Sequence, residues 1–167
     1  MAQQLSKVVA VLGNDISTDI IYPGRFMATV LPSETPLYAF ADNQDLNKML
    51  IASKIPRGSA IVAGANFGCG SSREQAASAL KGHELTIVAK GFARIFLQNA
   101  INLGLNIVTC PTIDAAEGDE LDVLPEKVIN RTRNKTFPTE PLPKARQAII
   151  DAGGLIPYTR KRLLERV

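Results

Sequence analysis

The segment Gly64-Ala65-Asn66-Phe67-Gly68-Cys69-Gly70-Ser71-Ser72-Arg73-Glu74-Gln75 sets three glycines and two serines just ahead of an arginine and an alanine-rich stretch. A glycine-rich turn lets backbone N–H groups come close to a ligand, and a helix starting near Ser71 adds unpaired N–H donors and partial positive charge. The natural guest of such a turn is an anion. The same residues carry a purely structural reading as well. Ser71 with Glu74, and Ser72 with Gln75, match the capping box, in which a hydroxyl and a carboxylate or amide satisfy the free N–H groups of a helix start. A cap needs no glycines upstream, whereas a ligand approaching the backbone does. Nucleotide binding is disfavoured, because the Gly-Lys-Ser/Thr ending of a P-loop and the glycine spacing of a dinucleotide fingerprint are both missing.

A second group of polar residues lies in Asn14-Asp15-Ile16-Ser17-Thr18-Asp19-Ile20-Ile21-Tyr22-Pro23-Gly24-Arg25-Phe26-Met27-Ala28-Thr29. Asp15 and Asp19 flank two hydroxyls ahead of a Pro-Gly turn, which taken alone reads as an Asx-type turn with solvated charges. Carboxylates are too few there for a calcium loop. His83, the single histidine, is expected in an exposed turn after Lys81-Gly82. Cys69 and Cys110 show no metal-ligand spacing and support no disulfide framework, so both read as packed thiols. Arg94, in an apolar stretch, is expected to pair with an acidic core or interface group.

The elements that must hold these residues read as α/β. Short β-branched runs at 7–12, 60–63, 85–89, 106–109 and 120–124 predict strands. Helical patterns at 73–80 and 92–103 fall between them, the second stopped by Gly104. Strand, helix, strand, helix, strand in succession implies right-handed crossovers and a largely parallel central sheet flanked by helices. Residues 125–143, with four prolines, read as irregular chain or an edge hairpin, and 144–152 as a short helix ended by Gly153-Gly154.

The chain of 167 residues, 46% hydrophobic and 21% charged, suits one domain, 1–167, with an ordinary globular core. No apolar run approaches the roughly 18 residues of a membrane span, and the N-terminal residues do not read as a secretory signal, so a cytoplasmic location is expected. The net charge of +3 comes from thinly spread basic residues, apart from the run 158–166, and the 5% aromatic content without tryptophan supplies no stacking platforms for nucleic acid. A basic surface equally suits an acidic partner or the drawing in of a dicarboxylate.

In order along the chain, the motifs 15–25, 66–74 and 92–96 with 99–102 resemble the small subunit, or swivel domain, of the aconitase superfamily, most closely the family of 3-isopropylmalate dehydratase small subunits. The resemblance implies a swivelling β/β/α domain that closes over a separate large subunit carrying a [4Fe-4S] cluster, with no cofactor or metal in this chain. It implies a hydro-lyase, active only with that subunit, which isomerises 2-isopropylmalate to 3-isopropylmalate for leucine biosynthesis. Ser71 takes the place of the general base, and Ser72 and Arg73 grip a substrate carboxylate. In relatives acting on tricarboxylic substrates, an arginine pairs with the distal carboxylate. The pattern Gly-Arg-Tyr-Leu-Arg-Thr aligns that position with Ala28, in a loop where Arg25 and Thr29 are further candidate contacts and Arg25 also serves as a possible brace. Asp19 and Thr18 would support the site, Asp19 by orienting the serine or a histidine of the partner. Related substrates such as 2,3-dimethylmalate, citraconate or methylmalate and homoaconitate stay open. So do self-association of the isolated chain and a non-catalytic anion-binding module in which Ser71 is only a cap.

Overall fold

The structure is a computed structural model and describes residues 5–52 and 55–165; of the segments read above, residues 1–4 and Arg166 lie outside the described residues. The strands are β1 (Ser6–Val11), β2 (Ala60–Ala63), β3 (Thr86–Ala89), β4 (Asn106–Thr109), β5 (Glu120–Val123), β6 (Lys127–Asn130) and β7 (Lys135–Pro138). The helices are α1 (Thr18–Ile21), α2 (Gln44–Ile51), α3 (Glu74–Gly82), α4 (Arg94–Leu103), α5 (Lys144–Asp151) and α6 (Leu155–Leu164). All five strands expected from β-branched runs are present.

One sheet joins the strands in the order β4-β3-β2-β1-β5-β6-β7. The first four are parallel, and their spatial order runs against their chain order without a reversal. Each crossover therefore steps the same way and leaves its helix on the same face. Beyond β1 the sheet turns antiparallel through β5, β6 and β7, so the proline-bearing stretch 125–143 resolves as a hairpin at the sheet's end.

Alternation along the inner strands explains why β2 and β3 are buried throughout. Ile61, Ala63, Ile87 and Ala89 face the helices and meet Leu80, Phe96, Ala100 and Leu50. Ala60, Val62 and Val88 face the other way and pack with Leu121, Val128 and Phe137 of the antiparallel strands. A parallel sheet covered on both faces needs continuous apolar strands, and these runs are of that kind. Gly104 ends α4 at φ 71°, with its N–H donating to Ala100 O and Ile101 O, as its position predicted.

Three helices escaped the sequence pattern, the four-residue α1 and the longer α2 and α6. Within α2 only Leu46 and Leu50 are buried, and α6 buries nothing. α6 lacks the apolar stripe that a periodicity search detects, whereas α2 carries one in Leu46, Met49 and Leu50 that was passed over.

Candidate active site

Three loops leave the carboxyl ends of β1, β2 and β3, the edge where open α/β sheets bind ligands. They are stitched together. Ser17 pairs with Cys69 and Phe67 with Phe92 in short parallel bridges. Thr18 N–H donates to Cys69 O at 2.8 Å, Gly68 N–H to Ile16 O at 2.7 Å and Phe67 N–H to Gly91 O at 2.9 Å. Asn14 Oδ1 accepts from Ala65 N–H at 2.8 Å, and Asn66 Nδ2 donates to Asp15 Oδ1 at 2.7 Å.

Phe67 anchors the serine loop from below, its ring edge-on to Phe96 with centroids 5.2 Å apart. Gly68 lies directly over Phe96 at φ +81°, and a Cβ there would come within 2.2 Å of the Phe96 ring. Gly68→Ala therefore combines a left-handed backbone with a steric overlap, costing about 2–4 kcal/mol. Thermal unfolding of that variant should begin roughly 4–16 °C lower. A melting temperature equal to the parent's would show that the loop yields without strain.

The capping box does not form. α3 begins at Glu74, with Arg73 in the N-cap position and no side-chain cap bond. Gly70, at φ +91°, bends the chain so that Ser71 and Ser72 precede the helix instead of opening it. The serine hydroxyl is thereby free for other partners. Ser71 and Ser72 are both exposed, while Thr18 behind them is 1% exposed. Thr18 Oγ1 lies 3.0 Å from Ser71 Oγ and 3.1 Å from Ser71 O. Asn99, from α4, donates to Ser72 O at 3.4 Å.

Arg73 reaches from the same loop to Asp19, and Arg73 Nη1 donates to Asp19 Oδ1. Asp19 stands in the first turn of α1, whose N-cap Ser17 accepts from Ile20 N–H at 3.3 Å. This short helix replaces the expected Asx turn. Asp15 alone keeps a turn conformation, at φ 55°. The Arg73 side chain is 16% exposed, and its Nε is buried without a hydrogen-bond acceptor among the described residues. A buried N–H without an acceptor is costly, so one carboxylate leaves this guanidinium only partly satisfied. Gly24 faces it, and a Cβ there would stand 3.1 Å from Arg73 Nη2. Glycine keeps that nitrogen approachable.

The loop 22–29 is held beside Arg73 from two sides. The buried Tyr22 hydroxyl donates between Phe26 O at 3.2 Å and Thr29 O at 3.3 Å, and Gln75 Nε2, in the first turn of α3, donates to Met27 O at 3.3 Å. Ala28 is consequently displayed at the surface, with Thr29 half-buried next to it. Arg25 is not gathered in. Its guanidinium is engaged by Asp42 at 2.5 and 3.2 Å and lies over the Phe26 ring at 4.6 Å, the bracing arrangement.

Ser71, Ser72, Arg73 and Asp19 thus share one surface, with Thr18 buried behind Ser71 and Ala28 and Thr29 at the margin. Asn99 and Gln75 complete the support. Asn99 had signalled itself only as part of a motif, and Gln75 only as a cap that does not exist. His83 departs from expectation, being half-buried with Nε2 2.9 Å from Pro36 O, and burial pushes its pKa down. Arg94 is exposed at the start of α4 and makes no ion pair among the described residues. An iron–sulfur cluster takes about four cysteine thiolates, and this chain has two, Cys110, buried against Pro138 O, and Cys69, half-buried in the serine loop. Among the described residues, no three His, Cys, Asp or Glu side chains are grouped to share a metal ion, and no helix is long and apolar enough to cross a membrane.

The Aconitase C-terminal domain family matches residues 34–112. The chain is 43% identical over 159 residues to a 3-isopropylmalate dehydratase small subunit of Methanosarcina mazei, covering 92% of this chain and 95% of that one. It is 42% identical over 156 residues to the protein of that name from Moorella thermoacetica, covering 90% and 92%. Among solved structures, a 3-isopropylmalate dehydratase (leuD) from Methanocaldococcus jannaschii superimposes with a TM-score of 0.86 at 38% identity, over 98% of each chain.

Proposed function

Because the chain belongs to the 3-isopropylmalate dehydratase small-subunit family of the aconitase superfamily, we propose that its serine loop is one half of an active site completed by a large subunit. The complex is a hydro-lyase that interconverts 2-isopropylmalate and 3-isopropylmalate by removing and restoring water. The observation that carries the assignment of parts is the open surface on which Ser71, Ser72 and the half-satisfied Arg73 stand together. Ser71 Oγ, in its deprotonated form, takes the proton from the carbon next to a carboxylate. The C–H electron pair becomes the alkene π bond as hydroxide leaves the adjacent carbon, and rehydration in the other orientation returns the proton. Arg73 offers a planar fork suited to a carboxylate, and Ser72 adds a hydroxyl donor. A [4Fe-4S] cluster held by the large subunit would supply Lewis acidity toward the departing hydroxyl.

The surroundings of the loop support a docked partner. Ile20, Met27, Val30 and Leu31 flank the site at 47%, 49%, 65% and 54% exposure, an apolar margin that a large subunit would cover. Mixing the purified chain with a cluster-bearing large subunit and following alkene absorbance tests the reading. Turnover should require both subunits, and an anion-binding module with no part in the chemistry would add no rate.

Ala28 sets the substrate class in this reading. Its methyl cannot pair a carboxylate, and an unpaired buried carboxylate is costly, so a branched alkyl group is the better occupant. Ala28→Arg should raise kcat/KM for homoaconitate relative to isopropylmalate by about 10-fold or more. An unchanged ratio in a substrate panel on the reconstituted complex would place selectivity elsewhere. The same panel ranks 2,3-dimethylmalate and citraconate against isopropylmalate.

A further inference from the structure

We infer that the Thr18 hydroxyl is the built-in donor that stabilises Ser71 when Ser71 loses its proton, a positioning role that rests on the reading of Ser71 as the base. Thr18 Oγ1 stands between two oxygens of the same residue, 3.0 Å from Ser71 Oγ and 3.1 Å from Ser71 O. It has one hydrogen to give. While Ser71 is neutral, the serine hydrogen points at Thr18 Oγ1 and the threonine hydrogen rests on Ser71 O. Once Ser71 Oγ is anionic it can only accept, and rotation about the Thr18 Cβ–Oγ1 bond swings the threonine hydrogen onto it.

No heavy atom moves and no proton changes owner in that exchange. When Ser71 Oγ takes the substrate proton, the Thr18 hydrogen returns to Ser71 O.

The surroundings make this a committed arrangement. Thr18 is 1% exposed, so water does not compete for its hydroxyl. Its backbone is pinned on both sides, N–H to Cys69 O and O from Tyr22 N–H, each at 2.8 Å. A β-branched side chain on a fixed backbone has little χ1 freedom. The charged groups on the flanking segments are Asp19 and Arg73, which face each other, Asp15, which accepts from Asn66, Glu74 at the start of α3, and Lys90 and Arg94 around the start of α4; Arg25 is held by Asp42. The donor directed at Ser71 Oγ from beneath is therefore neutral. Its hydrogen bond strengthens as negative charge appears, which is the differential interaction that lowers a barrier.

The test uses the reconstituted complex with Thr18→Val, Thr18→Ala and Thr18→Ser. Loss of the hydroxyl should lower kcat by about 10- to 100-fold with KM within about twofold of the parent. The acid limb of log kcat against pH should move up by about one unit, since a hydrogen bond to the charged form is what keeps the serine pKa down. Thr18→Ser should keep the parental limb. Serine and alanine both lack the methyl and differ only in the hydroxyl, so that pair decides the matter if the valine variant does not fold. Equal losses in Ser and Ala, a fall in kcat without movement of the limb, or failure of both hydroxyl-free variants to fold would each overturn the proposal. Ser71→Ala is measured alongside. Full turnover there removes the base itself, whereas an inactive Ser71→Ala beside a parent-like Thr18→Val removes only the role of Thr18.

Discussion

Replacing Ser71 with alanine should lower turnover of the reconstituted complex by on the order of 10³-fold, within the range that a positioned general base contributes. Fold and subunit association should stay as they are. The Ser71 side chain is exposed and, among the described residues, bonds to Thr18 alone, so its removal forms no cavity and leaves Thr18 free to donate to Ser71's unchanged carbonyl. Melting temperature and large-subunit binding are the controls that separate a chemical loss from a structural one. Substantial alkene formation by the alanine variant would mean that the proton is taken by a group of the other subunit.

The second large effect is expected at Arg73. Changing it to lysine preserves the charge but loses the fork, and with it the bond geometry to Asp19 and the Nε donor now without an acceptor. Losing a charge-assisted, two-pronged contact to a substrate carboxylate costs about 2–3 kcal/mol, or roughly 30- to 150-fold in kcat/KM. Most of that should fall on KM if Arg73 grips the carboxylate equally in ground and transition states. A lysine variant with parental kcat/KM would assign the grip to another cation.

The parallel half of the sheet was legible because its strands are short β-branched runs punctuated by glycine, each followed by a helix or loop. Gly104 marked the end of α4 for a reason that needs no tertiary contact, a left-handed residue with no Cβ. The helical pattern from residue 73 came within one residue of the start of α3, but the capping-box reading set its cap too early, at Ser71 or Ser72. Ser71 and Glu74 have capping-box spacing, but Gly70 turns the chain first and Thr18, 53 residues away, holds the hydroxyl. Spacing cannot register a competitor so distant. The Arg73–Asp19 pair spans 54 residues and was likewise beyond any local pattern. Resemblance to the family brought the three motifs together on paper. That Asn99 and Gln75 tether the serine loop and the loop 22–29 emerged only from the three-dimensional structure. His83 was misread because nothing near it in sequence announces Pro36.

The two bridges Ser17–Cys69 and Phe67–Phe92 carry parallel backbone pairing past the strand ends into the loops, each slipped by one residue from the strand register. Backbone pairing thus ties the serine loop to the loops on either side of it. Little conformational entropy is then lost by this loop when the heteromer assembles, and encounter between the subunits joins a finished half-site to its counterpart. In the proposed complex, alignment then rests on how accurately the two subunits dock.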